Sequence, residues 1–226
     1  MTYLTTPATS PLYETERDTT PPPHDTKPST TPPPHDTPPP HEAKPGTATP
    51  CPDAEPGAVP HYLRVFALRP DVYHGWRRLA ETTRAGMDLR RYELVTLAAA
   101  RRLGSAYCGL AHAAVLRERF YDDTALYAIV TDHHNARLAP EDVAILDFAE
   151  QVATDPTSVT EAHIETLRRH GLSDTDIFQV VLAVCLRRFF SGVLSAVGAV
   201  PDTDLLNRLD PDLRVALETP ATDVAG

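Results

Sequence analysis

Proline fixes φ and removes a backbone donor, so a stretch dense in it forms neither a helix interior nor a central strand. Seventeen of the 23 prolines lie in residues 1–60, which leaves six for the other 166 positions. The same stretch holds almost no Leu, Ile, Val or Phe, so it cannot bury enough apolar area to offset the entropy of ordering. The core must therefore form from the remainder. We expect a disordered proline-rich arm over residues 1–58, a helical domain over 59–215 and a flexible tail over 216–226. Within the arm, residues 21–26 and 32–37 both read Pro-Pro-Pro-His-Asp-Thr, and 38–42 is a degenerate third copy. Such runs favour extended polyproline II. His24, His35 and His41 could bind a transition metal weakly, but a flexible acidic arm without a ligand is the preferred reading.

Charge narrows the partners. The net of −10 divides evenly, with 8 acidic and 3 basic side chains in residues 1–60 and 23 and 18 in the rest. An acidic surface throughout argues against nucleic acid or an anionic membrane as partner. No basic and apolar leader is visible at the N-terminus, and no uncharged apolar run approaches 18 residues, so a soluble, cytoplasmic protein is expected. The three cysteines, Cys51, Cys108 and Cys185, are odd in number and form no disulfide framework, which fits a reducing compartment.

From Pro60 onward the apolar spacing is helical almost throughout, and no strand pattern of any length occurs. The predicted helices cover residues 71–85, 89–103, a second member of that pair starting after Ser105, 122–130, a segment opened by Pro140 at N1 and ending near Asp155-Pro156, 160–170, and 174–197 capped by Ser173. The last contains Val180-Val181-Leu182-Ala183-Val184-Cys185-Leu186, apolar on every side. In a domain of about 150 residues such a helix is expected to be covered by another subunit, with Cys185 a packed small hydrophobe.

The chemistry concentrates between Tyr92 and Leu116. Gly104 is the expected left-handed residue that ends one helix, and Ser105 is the natural N-cap of the next. Cys108 is then the N3 residue, where unpaired N–H groups and the helix dipole favour an anion, so its thiol should ionise more readily than a free one. His112 lies four residues on, one turn away on the same face. Folded as an antiparallel hairpin, the pair brings Glu93 level with His112, giving the order thiol, imidazole, carboxylate of a proton relay. Glu93 shares a face with Leu89, Leu97 and Ala100, and burial there would raise its pKa. Blander assignments compete: a structural thiol for Cys108, a carbonyl-bonded histidine for His112, an ion pair of Glu93 with Arg90, Arg91 or Arg101, a plain cap for Ser105 and a pocket wall for Tyr107. His133-His134 lacks a defined third ligand, so no metal site is expected.

The stretch resembles the alkylhydroperoxidase D-like branch of the carboxymuconolactone decarboxylase family, whose pattern is Glu, eleven residues, Cys-x-x-Cys, three residues, His. Glu93, Cys108 and His112 match it, while Ser105 stands in place of the first cysteine. The resemblance extends more loosely over about 60–201, including Arg-Arg-Phe-Phe-Ser at 187–191. It implies an all-α bundle, a homo-oligomer, no cofactor, and Cys108, His112 and Glu93 as catalytic residues with Ser105 and Tyr107 in support. The expected activity is a peroxiredoxin-type peroxidase that takes a peroxide or small organic substrate and an external thiol reductant. The alternatives are a cofactor-independent lactone decarboxylase or isomerase, with Glu93 and His112 as acid and base, and a non-enzymatic helical oligomer displaying the arms.

Overall fold

The computed structural model describes residues 59–219. The arm expected over 1–58, with Cys51 and its histidines, lies outside the described residues. Among those described, all regular structure is helical: α1 (His61–Phe66), α2 (Pro70–Ala85), α3 (Leu89–Arg102), α4 (Ala106–Arg119), α5 (Asp123–Thr131), α6 (Pro140–Thr154), a 3₁₀ turn (Pro156–Ser158), α7 (Glu161–Arg169), α8 (Asp174–Ala196), α9 (Thr203–Asn207) and α10 (Pro211–Glu218).

Local chemistry sets most of these boundaries. The Asp88 carboxylate accepts from the Arg91 amide at 3.0 Å to start α3, and Asp122 accepts from Ala125 at 2.7 Å to start α5. Ser173 and Asp176 form a reciprocal capping box at the start of α8. Proline occupies the first turn of α2, α6 and α10, where its missing N–H costs nothing. Helices α1, α9 and α10 go beyond the sequence-based set. The Asp210-Pro211 start and the four-residue spacing of Leu209, Leu213 and Leu217, all buried, are the signals for α10. Because α10 runs to Glu218 with Leu217 in the core, the tail boundary expected at 215/216 falls inside a helix.

The centre of the bundle is α3. Every residue from Tyr92 to Ala100 is buried, and the helix packs against α4, α6 and α8. Three consecutive alanines let these neighbours approach closely, and the charges sit mainly at the helix ends. Leucines of α3, α4, α5 and α10, among them Leu94, Leu110, Leu126 and Leu213, form one core cluster. Fully burying each such side chain contributes about 1.5–3 kcal/mol. Phe66, Tyr107, Cys108, Phe190 and Leu194 form a second, aromatic cluster between α1, α4 and α8.

The helix expected to be apolar all round, α8, is two-sided instead. Ile177, Val180, Val184, Arg187, Phe190 and Leu194 are buried, while Phe178, Cys185 and Phe189 are exposed. Cys185 is therefore not locked in the core of the subunit. It lies two residues from the inward-facing Arg187, roughly 200° around the helix, and so points outward. By length and composition α8 would be apolar enough to cross a membrane, yet its inner face is the wall that packs on α2, α3, α4, α6 and α7.

Candidate active site

The hairpin α3–α4 builds the site, and its turn is a Schellman motif. The Ser105 amide donates to Ala100 at 2.9 Å, the Gly104 amide donates to Arg101 at 3.0 Å, and Gly104 has φ of 63°. A β-carbon at Gly104 would meet no atom, so glycine is required there by its backbone angle alone. Ser105 does occupy the N-cap position of α4, but its hydroxyl makes no capping bond. The reason is geometric: its amide is held by the preceding helix, and its ψ of 87° lies away from the extended value of the capped helices. Cys108 is nonetheless the N3 residue and is 1% exposed.

The hairpin brings the carboxylate and the imidazole together as the spacing requires. His112 Nδ1 lies 2.5 Å from Glu93 Oε2, with both side chains nearly enclosed. The alternative partners of Glu93 are engaged elsewhere: Arg90 pairs with Asp142, Arg91 with Glu141, and Arg101 donates to the Ala216 carbonyl. When Nδ1–H donates to the carboxylate, Nε2 carries the imidazole lone pair. Burial, helped by the nearby Arg187 guanidinium, pulls His112 below its ordinary value against the upward pull of Glu93. The imidazole is thereby kept neutral and able to accept a proton.

Arg187 is the site residue to which sequence reasoning assigned no role. It projects from the inner face of α8, is 6% exposed, and donates from Nη1 to Cys108 Sγ at 3.4 Å. Among the described residues its Nε has no hydrogen-bond partner, and its guanidinium lies 5.6 Å from the centre of the Phe190 ring. Tyr92 of α3 faces the same cation; burial raises its phenol above the ordinary value while Arg187 pulls it down. The available signal was an arginine closing an apolar seven-residue run. A buried charge costs several kcal/mol without a partner, so it marks a place where an anion is expected.

Around the thiol stand aromatic walls. Trp76 stacks on Phe190 with centroids 4.2 Å apart, Phe66 stacks on Phe190 at 5.1 Å, and Tyr62 meets Tyr107 edge-on. The Trp76 indole N–H is buried without a hydrogen-bond partner among the described residues. The Tyr107 hydroxyl is committed to Asp202, and burial together with that carboxylate raises its phenol above the ordinary value. Tyr107 is thus a wall tied to the segment before α9. His133 and His134, for which the sequence defined no third ligand, meet Asp147 of α6. They lie on the α5–α6 loop, apart from the thiol site.

Neither a protein-family model nor a curated protein matches the sequence. Among solved structures, the alkylhydroperoxidase AhpD core of a peroxidase-related protein from Ralstonia eutropha JMP134 superposes with a TM-score of 0.60 at 22% identity, over 74% of this chain and 85% of that one. A peroxidase-related protein from Silicibacter sp. TM1040 gives 0.60 at 24% identity, over 66% and 80%. The debrominase Bmp8, solved in complex with 2,3,4-tribromopyrrole, gives 0.60 at 14% identity, over 67% and 82%. The chain therefore has the alkylhydroperoxidase D-like helical fold, with Glu93 on one and Cys108 and His112 on the other of its paired helices.

Proposed function

We propose that the protein is a thiol-dependent peroxidase with one catalytic cysteine, Cys108. The observation that carries this reading is the buried Arg187 guanidinium, which donates to the Cys108 sulfur and also acts electrostatically on His112, the partner of Glu93. His112 takes the thiol proton through Nε2, and the guanidinium stabilises the thiolate. The sulfur then attacks one peroxide oxygen and the O–O bond breaks. The departing alkoxide recovers the proton from His112, leaving an alcohol and Cys108 sulfenic acid. An external thiol attacks the sulfenic sulfur, releasing water and forming a mixed disulfide, and a second thiol frees Cys108. Glu93 acts through His112 as a positioning residue.

The aromatic walls favour an organic hydroperoxide over hydrogen peroxide as substrate, since apolar surface binds an apolar chain. Internal resolution of the sulfenic acid is disfavoured: Ser105 holds no sulfur, and Cys185 points away from the side of α8 that meets Cys108. The outward stripe of Phe178, Cys185 and Phe189 supports a homo-oligomer, and free thiols suit a reducing, cytoplasmic setting. A lactone decarboxylase or isomerase would use the same Glu93–His112 pair with Cys108 as lining. Peroxide treatment of wild type and Cys108→Ser, read by intact mass, separates the two. One added oxygen, absent in the variant, together with thiol-dependent loss of an organic hydroperoxide, is expected. Unchanged mass at Cys108 would overturn the proposal.

A further inference from the structure

The α5–α6 loop carries a second cluster of chemically able side chains. His133 Nε2 lies 2.8 Å and His134 Nε2 3.0 Å from the same oxygen, Asp147 Oδ1. The two imidazoles stack with centroids 4.3 Å apart and planes 28° from parallel. A pair of adjacent histidines needs no such convergence to pack on a surface, because either ring alone would satisfy the carboxylate. The two nitrogens and the oxygen lie within 4.8 Å of one another and make up the set of two imidazole nitrogens and one carboxylate oxygen found at open zinc sites.

The surroundings extend the pattern. Behind His133, its Nδ1 faces Glu150 Oε1 at 3.8 Å, and behind His134, its Nδ1 faces Asp132 Oδ1 at 3.9 Å. A carboxylate behind the non-ligating nitrogen is the usual way a metal-binding imidazole is oriented and made more basic. Glu150 is itself steadied by Arg102 at 2.7 Å. His134 and Asp147 also line a cavity of about 580 Å³ between α6 and α7, whose wall includes His163, His170 and Gln151. A fourth coordination position on that side would open into space large enough for a small molecule.

We propose that His133, His134 and Asp147 bind a divalent transition metal of the zinc type, with the remaining coordination position directed to the α6–α7 cavity. The present separations are those of hydrogen bonds. Metal bonds of about 2.0–2.1 Å in a tetrahedron place ligand atoms about 3.3 Å apart, so each nitrogen needs to move only a few tenths of an ångström from the carboxylate oxygen. His134 and Asp147 are exposed and free to make that adjustment. Binding needs the lone pair on each Nε2, so a neutral ring takes the tautomer with its proton on Nδ1, facing Glu150 or Asp132, and only a protonated ring releases a proton to solvent.

The test is titration of the metal-free full chain with cobalt(II), a spectroscopic stand-in for zinc whose visible bands are intense only at low coordination number. One equivalent with intense bands is expected. The bands should vanish and the affinity fall at least about 100-fold in His134→Ala and in Asp147→Asn, beyond the 10- to 100-fold effect of losing an outer-shell partner. His134→Gln serves if the alanine variant does not fold. Because the arm has its own histidines, a His24→Ala, His35→Ala, His41→Ala variant should keep the banded equivalent. Cobalt bound equally by H134A and D147N, cobalt lost only with the arm histidines, or no cobalt bound at all would each overturn the proposal.

Discussion

Replacing Glu93 by Gln isolates the contribution of the carboxylate behind His112. The amide has nearly the same shape, and by turning its carbonyl oxygen to Nδ1 it can keep the imidazole tautomer seen here. What it cannot supply is negative charge when His112 accepts the Cys108 proton. With Nδ1 and Oε2 at 2.5 Å, the charge centres lie about 4 Å apart. At the effective dielectric of about 20 that suits partly buried sites, the lost attraction is about 4 kcal/mol. Each 1.36 kcal/mol is a tenfold change in rate, so hydroperoxide consumption should fall about 10³-fold. Stability should change far less, because Gln also removes the cost of burying a charge and keeps one neutral hydrogen bond. Stopped-flow measurement of Cys108 oxidation, paired with thermal melts, reads the two effects separately. Glu93→Asp, which keeps the charge but retracts it by about one methylene, should fall between the two. A Glu93→Gln enzyme within threefold of wild type, with an unchanged melt, would refute the relay.

Ser105→Cys should close an internal disulfide with Cys108 and shift recycling toward dithiols, since residues three apart on a helical turn lie within the Cα range of such a bond. The Ser105 hydroxyl makes no capping bond, so little stability should be lost; peptide mapping after peroxide checks the link. The pH dependence follows from the sign at His112. Its folded value lies below the ordinary 6.5, so the folded state binds fewer protons, and the contribution is present above about 6.5 and lost as pH falls below it. His133 is raised despite its burial, by Asp147 first and then Glu150, and contributes the opposite slope, so the measurement is the difference between melts of wild type and His112→Gln from pH 8 to 5. Phe189→Asp on the exposed stripe of α8 should leave the subunit folded and dissociate the proposed homo-oligomer; a wild type that sediments as a monomer contradicts this.

The helices that residue spacing foretold are those whose ends carry their own chemistry. Caps at Asp122 and Ser173, Pro140 at N1 and Gly104 at a left-handed stop all act within one turn, so they can be read without knowing the fold. Which helix occupies the centre is a different kind of question. Both α3 and α8 carry long apolar runs, and α8 has the larger side chains. Yet α3 is surrounded, because its three alanines admit close neighbours that Val, Leu and Phe would hold apart. Close approach depends on the partner surfaces as much as on the helix itself, and a single stretch of sequence does not contain them.

The same division runs through the site. Glu93, Cys108 and His112 sit on two helices joined by a three-residue turn, and helical pitch alone brings their heights into register. Arg187 comes from 79 residues beyond Cys108, and no local rule connects the two. Asp147 likewise joins His133 and His134 only once α6 folds back against the loop. Of the two, Arg187 left a trace in the sequence, because its charge conflicts with the apolar run that it closes, whereas Asp147 sits on an exposed face where a carboxylate is unremarked. A conflict of that kind is unfavourable by itself and is tolerated where a distant group of opposite character meets it. A charged residue that its own helix cannot accommodate thus points to a contact, even when the sequence does not say with what.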